Sequence, residues 1–400
     1  MKRIVLIVGL ASLASVTVLL AGDAVAPVAA QGSSSVSFRE VVTVNGPLLY
    51  PSSLAAGDLN HDGIPDLALV SAENTANLTY ALGKGNGRFG AWREDQNDDF
   101  APGFVLLADV YGDGNLDAIT TEEGGDEIDI AVGDGKGHLY GDQRLLVNGV
   151  NSTYIVAVAD LNGDGIPDIV GTTDTGIFVI LGKGSRKFAK AVTFGSGGNL
   201  PYGIAVGDLN HDGIPDLVVA NYGTEQNGDY GNVAVLLGKG NGTFNEPVPY
   251  YAGRDPTQLV LGDFRGNHNL DIAVVGQTKN AVHVLLGNGD GTFSAAKAYP
   301  SGSGPESVVA ADFNGDGKLD LAITNNTNPN PCHVSVLLGN GDGTFQPPVK
   351  FRVDEGPTQL VTADFNHDGK PDLATLTGYS GITVLLNTTP FPTPSQSALK

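Results

Sequence analysis

An acidic nonapeptide that recurs seven times is the feature that most constrains how this chain can fold. The copies read DLNHDGIPD from Asp58, DVYGDGNLD from Asp109, DLNGDGIPD from Asp160, DLNHDGIPD from Asp208, DFRGNHNLD from Asp263, DFNGDGKLD from Asp312 and DFNHDGKPD from Asp364. Successive copies begin 48 to 55 residues apart. This regular spacing along a 400-residue chain predicts one repeat architecture instead of two or three unrelated domains.

A glycine-rich motif follows each of the first six acidic copies, as in LGKGNGRF and LGNGDGTF, whereas the seventh unit stops at LLN. Each unit contains short apolar runs before and after the acidic motif, before the glycines and from the Phe onward. Gly, Pro, Asn and Asp bound these runs, as is typical of strands, and no helical periodicity follows the N-terminal segment. Four strands per unit, repeated seven times, predict an all-β, seven-bladed β-propeller with four antiparallel strands per blade.

The two ends of the repeat region complement each other. SVSFREVVTV (Ser35–Val44) has the pattern of a fourth strand but no unit of its own, and the seventh unit lacks that strand. We therefore predict that Phe38–Val44 forms the outer strand of the seventh blade and closes the ring. The propeller then spans residues 31–387, and the Pro/Ser/Thr-rich residues 388–400 form a disordered tail.

The N-terminal segment has the pattern of a secretory signal. Lys2 and Arg3 precede an apolar run from Ile4 to Leu20, and small residues end at Ala30. We predict a signal peptide over residues 1–30 and a secreted or cell-surface protein. The alternative is an uncleaved anchor, which is the only way we expect this chain to meet a membrane.

Charge and cysteine content narrow the partners further. The net charge of −22 is unsuited to phosphate backbones, so we expect no nucleic-acid partner. Cys332 is the single cysteine of the sequence, which rules out an intrachain disulfide, and we expect it to be a small buried side chain at the start of a strand.

The acidic motif has the composition of a calcium loop. Positions 1, 3, 5 and 9 carry oxygen donors, position 7 offers its backbone carbonyl, and Gly at position 6 permits a sharp turn. Oxygen ligands without His or Cys favour Ca²⁺ over a transition metal. The five complete loops would bind through Asp58, Asn60, Asp62, Ile64 and Asp66; Asp160, Asn162, Asp164, Ile166 and Asp168; Asp208, Asn210, Asp212, Ile214 and Asp216; Asp312, Asn314, Asp316, Lys318 and Asp320; and Asp364, Asn366, Asp368, Lys370 and Asp372.

Two copies depart from this pattern. The second has Tyr111 at position 3, so its remaining set of Asp109, Asp113, Asn115 and Asp117 predicts a weakened site. The fifth has Arg265, Asn267 and His268 at positions 3, 5 and 6, and we predict that it holds no ion and that Arg265 pairs with Asp263 or Asp271 instead. A single Asp/Asn/Gly cluster could merely form a turn. Five complete copies favour structural calcium, and we expect His61 at position 4 to point outward without binding the ion.

The alternation of D-x-[DN]-x-D-G-x-x-D with a glycine turn and Phe resembles the FG-GAP/VCBS repeat family, which includes the integrin α-subunit propeller. The resemblance runs from about Ser35 to Asn387. It implies a propeller with calcium in the acidic hairpin loops, and an interaction role more often than catalysis.

Recognition is expected on the face opposite the calcium loops, where three loops combine aromatic and polar residues. The candidate ligand-binding residues are Trp92, Phe100, Tyr222, Tyr230, Tyr250, Tyr251 and Arg254. The alternative is that these side chains pack between blades.

These observations predict a secreted, monomeric, calcium-stabilised module for adhesion or carbohydrate binding, recognising a glycan or an extracellular protein. No phosphate loop, zinc motif or nucleophile elbow occurs, so we do not expect an enzyme. The main alternative is a carbohydrate-active enzyme resembling a polysaccharide lyase, and a third is a structural part of a cell-surface assembly. A cleft that pairs basic side chains with carboxylates would favour the enzyme, and a shallow aromatic surface would favour binding.

Overall fold

A computed structural model describes residues 35–45, 51–71, 78–94, 102–122, 124–224, 229–276, 280–326, 332–377 and 381–391. Within these ranges the chain forms seven antiparallel four-stranded sheets and no helix, and therefore no helix that could cross a membrane. The predicted all-β, seven-bladed propeller is confirmed. The predicted signal peptide lies outside the described residues.

The strands follow the chain blade by blade, each blade running from the channel outward. Blade 1 holds β2 (Pro51–Gly57), β3 (Asp66–Ser71), β4 (Thr79–Ala81) and β5 (Arg93–Glu94); blade 2 holds β6 (Pro102–Ala108), β7 (Asp117–Glu122), β8 (Glu127–Gly133) and β9 (Leu139–Leu146). Blade 3 holds β10 (Thr153–Ala159), β11 (Asp168–Thr173), β12 (Ile177–Ile180) and β13 (Val192–Phe194); blade 4 holds β14 (Pro201–Gly207), β15 (Asp216–Asn221), β16 (Asn232–Leu236) and β17 (Val248–Tyr250). Blade 5 holds β18 (Pro256–Gly262), β19 (Asp271–Gly276), β20 (Ala281–Leu285) and β21 (Lys297–Pro300); blade 6 holds β22 (Pro305–Ala311), β23 (Asp320–Asn325), β24 (His333–Leu337) and β25 (Val349–Arg352). Blade 7 holds β26 (Leu360–Ala363), β27 (Asp372–Thr377), β28 (Gly381–Asn387) and, as its outer strand, β1 (Phe38–Asn45).

The core lies between neighbouring sheets. Every residue of β15 is buried, as expected of a β-branched strand covered on both faces, whereas Val248 on the outer strand β17 is half exposed. The Phe of the glycine-rich motif packs on the preceding blade: the rings of Phe345 and Phe264 meet edge to face at 5.4 Å. Cys332 is buried directly before β24, as predicted.

The ring closes through the predicted strand. β1 pairs antiparallel with β28, from Phe38 opposite Asn387 to Asn45 opposite Gly381. The ring of Phe38 packs on Phe313 and Phe351, with centroids 5.8 and 5.1 Å apart.

The folded part also extends beyond the predicted domain end. Thr388 donates its N–H to the carbonyl of Ser37 at 2.8 Å, and Thr389 is fully buried. Residues 388–391, which the sequence analysis assigns to the tail, therefore belong to the ring, and the remaining tail lies outside the described residues.

Candidate functional site

The seven acidic motifs connect the innermost strand of each blade to the second strand. They span residues 58–66, 109–117, 160–168, 208–216, 263–271, 312–320 and 364–372. Because they follow the C-terminal ends of strands that run in one direction around the channel, they lie on one face of the propeller, called here the acidic-loop face.

The first loop shows how the backbone organises the predicted ligands. Asp58 accepts hydrogen bonds from the N–H groups of Asp62 (3.2 Å) and Gly63 (2.8 Å). Asn60 Oδ1 accepts from the Asp62 N–H at 3.0 Å, and Asp62 Oδ1 from the Ile64 N–H at 2.8 Å. Gly63 has a φ of 81°, the left-handed region that favours glycine. Asp58 Oδ1 accepts a second bond, from the Asn60 N–H at 3.2 Å. Asp58 Oδ2, Asn60 Oδ1 and Asp62 Oδ1 accept one bond each, so these bonds orient the three side chains and leave each of them a lone pair for an ion.

The aspartate at position 9 has a second role that the sequence analysis missed. Asp66 is fully buried, and its carboxylate accepts from the N–H of Leu59 at 2.8 Å and of Gly83 at 2.7 Å. Gly83 is the first glycine of the glycine-rich motif, and a Cβ there would lie 2.4 Å from the carbonyl oxygen of Pro65. The carboxylate therefore joins the acidic motif to the glycine motif. The sequence feature that could have revealed this bond is that the acidic motif and the glycine motif occur together in a unit.

Burial raises the pKa of these position-9 carboxyls, because desolvation disfavours the charged form more than the two N–H groups favour it. The pKa of Asp66 rises to about 6. The pKa values of the equivalent groups rise to about 6 for Asp117, Asp168 and Asp216, about 8 for Asp320 and about 7 for Asp372.

Neighbouring loops also bond to one another around the ring. The backbone N–H of Gly137 in blade 2 donates to the carbonyl of Leu59 in blade 1 at 3.0 Å. His61 is exposed, as expected of a side chain that points outward, and its Nε2 lies 3.0 Å from Asn115 Oδ1 in the next loop. His61 adopts a φ of 59°, which directs it across the blade boundary.

The opposite face contains a cavity of about 250 Å³ at the N-terminal ends of the innermost strands. We call it the channel mouth. Tyr154 and Tyr202, from adjacent blades, stack at 5.2 Å with an interplanar angle of 18°, and Tyr222 meets Tyr202 at 5.6 Å. The mouth is also lined by Gln258, Glu306 and Gln359, among others. The sequence analysis named Tyr222 but missed Tyr154 and Tyr202.

Of the other predicted ligand-binding residues, two pack within the blades and one is exposed. Trp92 packs against the core, and Tyr250 packs on Phe293 at 5.7 Å and accepts a hydrogen bond from its N–H, so both follow the alternative of packing within the blades. Tyr251 is 66% exposed, and Phe100 lies outside the described residues.

The loops around blade 4 hold the remaining two residues. The guanidinium of Arg254 lies over the ring of Tyr230, 3.5 Å from its centroid. This pair does not line the channel mouth, so the predicted recognition residues are not gathered in one place.

Comparison with known families decides which repeat this is. A family model described as FG-GAP-like repeat matches residues 109–171, 160–219, 269–323 and 315–375, which is more than half of the chain, and one described as FG-GAP repeat matches residues 50–81. The protein belongs to the FG-GAP repeat family. The VCBS part of the expected resemblance stays a prediction, and no curated protein matches the chain.

Several solved structures share the fold of this FG-GAP propeller. One is an Agrocybe aegerita lectin that recognises non-reducing terminal N-acetylglucosamine, with 20% identity over 85% of each chain and a TM-score of 0.55. A chain in the crystal structure of BBS1N in complex with ARL6DN has 17% identity over 89% of this chain and 99% of that one, with a TM-score of 0.61. The V. cholerae biofilm matrix protein Bap1 has 12% identity over 89% and 92%, with a TM-score of 0.50.

In the fifth FG-GAP loop, the side chain of Arg265 provides a positive charge. Arg265 donates to both carboxylate oxygens of Asp271, from Nη2 at 2.6 Å and Nε at 3.2 Å, and also to the carbonyl of Gly287. Of the two partners predicted for this guanidinium, the structure selects Asp271. Burial raises the pKa of Asp271, and Arg265 opposes that rise. His268 adopts a φ of 68° in place of glycine, so the loop keeps its shape.

The second FG-GAP loop is also altered. Tyr111 turns its hydroxyl to Gln143 Oε1 at 2.9 Å, away from the other loop donors. Arg186, from the glycine motif of blade 3, lies 3.5 Å from Asp113 Oδ2 and over the Tyr111 ring. The guanidinium would compete for a carboxylate that a calcium ion would need, and the weakened site stays a prediction.

The complete FG-GAP loops fit calcium by their chemistry. Each combines oriented side-chain oxygens with a buried carboxyl whose charge lacks a partner cation, and in the fifth loop a guanidinium occupies that role. Among the described residues, no three Asp, Glu, His or Cys side chains form a preassembled metal centre. The ligand oxygens would therefore have to close around an ion as it binds.

Proposed function

We propose that this FG-GAP propeller is a secreted, calcium-stabilised binding module that recognises a glycan or an extracellular protein on the face opposite its acidic loops. The observation that carries the proposal is the tyrosine cluster at the channel mouth. Tyr202 is 38% exposed although it stacks on Tyr154 beside a cavity, an arrangement that suits ligand contact more than core packing. The shared fold with a lectin and a biofilm matrix protein supports this class of function.

Calcium is proposed as the structural ion of the five complete loops. If extracellular modules bind Ca²⁺ at ~10⁻⁴–10⁻³ M, then ~1 mM calcium adds roughly 0.4–1.4 kcal/mol per site. Five such sites add about 2–7 kcal/mol, which is comparable with the stability of a typical domain. The ion would neutralise the cluster formed by the two more accessible aspartates, at positions 1 and 5, and the buried one at position 9.

The channel mouth favours binding over lyase chemistry. Its lining includes Glu306 and, within the described residues, no Lys, Arg or His. The carboxylate-rich stretch Thr120–Asp129 does have a basic partner, because Arg144 lies 3.2 Å from Glu127 and 3.3 Å from Asp129, but none of these three residues lines the cavity. Among the described residues that line the channel mouth, no basic side chain faces a carboxylate, as an enzyme of this kind would require.

The calcium part is tested by melting the mature protein with calcium and after calcium removal, and by counting bound ions by elemental analysis. We expect a calcium-dependent rise in Tm. Asp212→Ala should make this rise smaller and should lower the number of bound calcium ions by one. The matched control is Asn267→Ala, in the loop that contains Arg265. This substitution should change neither the calcium-dependent rise in Tm nor the number of bound ions. Equal effects of the two substitutions, or no bound calcium, would reduce the acidic motifs to turns.

The recognition part is tested by screening the protein against immobilised glycans and extracellular matrix proteins. Saturable binding to either class supports the proposal. No binding to either class would favour a purely structural role.

A further inference from the structure

We propose that the channel mouth binds the terminal ring of a neutral saccharide, with Tyr154 and Tyr202 as one wall and Gln258, Glu306 and Gln359 as the other. This inference rests on the proposed binding function and assigns it a place and a ligand class.

The aromatic wall offers the flat apolar surface that the C–H face of a sugar ring requires. Tyr154 and Tyr202 occupy the second position of adjacent innermost strands and stack nearly parallel, while Tyr222 is tilted by 55° against Tyr202. Tyr222 does not line the cavity itself but packs on the ring of Tyr202 and supports it. Tyrosine combines apolar area with a hydroxyl at its edge, which suits a partly wet site.

The backbone at these tyrosines is shaped to present them. The pairing register shifts between Thr153 and Val156 in β10 and between Pro201 and Gly203 in β14. Such bulges re-aim a side chain and are frequent beside functional sites. The freed carbonyls are not left unsatisfied: hydroxyls of the preceding blade bond to both, Thr121 to Tyr154 O and Thr172 to Tyr202 O.

These bonds hold the aromatic wall in place before any ligand arrives. A preorganised wall lowers the entropy that binding must overcome. The bulges alone would not indicate a ligand, because other innermost strands have them too. What distinguishes blades 3 and 4 is that both place tyrosine in the bulge, whereas blades 1 and 2 have Ser52 and Gly103 there.

The polar wall is also fixed in orientation. Gln258 Oε1 accepts from the Ser307 hydroxyl at 2.7 Å, and Gln359 Oε1 accepts from the N–H of Leu54 at 2.6 Å. With both amide oxygens engaged, the amide nitrogens are the atoms left to donate. Glu306 adds a carboxylate acceptor at the same rim. Donors and an acceptor facing an aromatic wall match the hydroxyl edge and the apolar face of one sugar ring.

Charge and size select the ligand class. The lining carries a carboxyl and, among the described residues, no basic side chain, and the whole chain has a net charge of −22. A uronate or sulfated sugar would find no basic side chain among these lining residues to bind its charge, so the ligand should be neutral. The cavity of about 250 Å³ is smaller than the roughly 300–1,000 Å³ of sites for drug-sized ligands, so a terminal ring fits better than a long segment.

The test uses the mature full-length protein and calorimetric titration with neutral gluco-, manno-, galacto- and N-acetylglucosamine oligosaccharides, and with oligouronates of equal length. We expect one or more neutral oligosaccharides to bind and the oligouronates not to bind. Tyr202→Ala should weaken binding about tenfold, since an aromatic contact of this kind is worth about 0.5–1.5 kcal/mol beyond its buried area. Tyr202→Phe should stay within about threefold because the ring is kept.

The matched control is Tyr140→Ala on the outer strand β9, which removes a more exposed tyrosine away from the mouth and should leave binding unchanged. Equal Tm values for the variants show that they fold. Binding that is unaffected by Tyr202→Ala, or that prefers uronates, overturns this inference and leaves the proposed function standing. If no saccharide binds, the inference is also overturned, and the protein arm of the recognition screen then decides the proposed function separately.

Discussion

At the scale of single residues, Arg265 shows what the acidic loops require. Asp271 is fully buried like the other position-9 aspartates, yet it alone has a guanidinium 2.6 Å away among the described residues. The loop around it keeps the backbone hydrogen bonds to the aspartates at positions 1 and 9 although positions 3, 5 and 6 have all changed. The buried carboxylate, more than the exposed donors, is therefore the part of the motif that needs a positive charge.

Replacing Arg265 by Ala should destabilise the propeller by about 3 kcal/mol, because removing one partner of a buried ion pair leaves an uncompensated charge. The measurement is urea unfolding with calcium present. Arg352→Ala on the exposed outer strand β25 is the control and should change the free energy of unfolding by less than about 0.5 kcal/mol. Similar losses for both variants would show that the Asp271 pair contributes nothing.

At the scale of elements, each of blades 1 to 6 depends on the bond between its acidic motif and its glycine motif. Gly238 donates its N–H to Asp216 at 2.7 Å, and a Cβ at Gly238 would lie 2.3 Å from the carbonyl of Pro215. Gly238→Ala must therefore separate two hairpins, and we expect a loss of about 3 kcal/mol. Gly195→Ala is the matched control, since a Cβ there meets nothing within 4 Å and should be nearly neutral. Thermal or urea unfolding of both variants decides, and a neutral Gly238→Ala contradicts the close approach.

The aspartates that accept these bonds are buried, and their burial makes the stability of calcium-free protein depend on pH. Burial raises the pKa of Asp216 to about 6 and that of Asp320 to about 8. A carboxyl whose pKa is higher in the folded chain than in the unfolded chain stabilises the fold while protonated, and this contribution is lost as pH rises through the folded pKa. The Tm of calcium-stripped protein should therefore fall between pH 5 and pH 8. Added calcium should reduce the fall by stabilising the charged form, and a Tm that rises over this range without calcium would contradict the assignment.

How far the sequence predicts the molecule depends on whether a feature is repeated. Ring closure through Phe38–Val44 was predictable because one unit lacked a strand and one strand lacked a unit. The pairing of Arg265 was predictable because a charge replaced a donor in a repeated pattern. The tyrosine wall was not, because Tyr154 and Tyr202 meet only when two bulges in adjacent blades aim them at each other.

At the scale of the whole molecule, hydrogen bonds link each blade to its neighbour around the ring. Where the repeat ends, in blade 7, other residues have to make these bonds. In most blades a glycine N–H donates a hydrogen bond to the acidic loop of the preceding blade. Gly343 in blade 6, for example, donates to Phe264 O in blade 5 at 3.1 Å. The seventh unit lacks that motif. Asn387 replaces it, because its N–H bonds to Asp372 at 2.6 Å and its side-chain amide to Phe313 O at 2.9 Å. The pattern of the sequence shows only the missing glycines, and the replacement becomes visible once blades 6 and 7 are packed.

This closure predicts the effect of removing the outer strand of blade 7. A mature chain that begins at residue 46 lacks β1, so the backbone groups of β28 that pair with it become a free edge. We expect a clearly lower Tm and concentration-dependent dimers, because an unpaired edge is a template for a second chain. Light scattering after gel filtration measures the second effect and calorimetry the first. A chain shortened instead after Phe391 keeps the closure and should remain a stable monomer. If both shortened chains behave alike, the ring does not depend on β1, and blades 1 to 6 hold the propeller together by themselves.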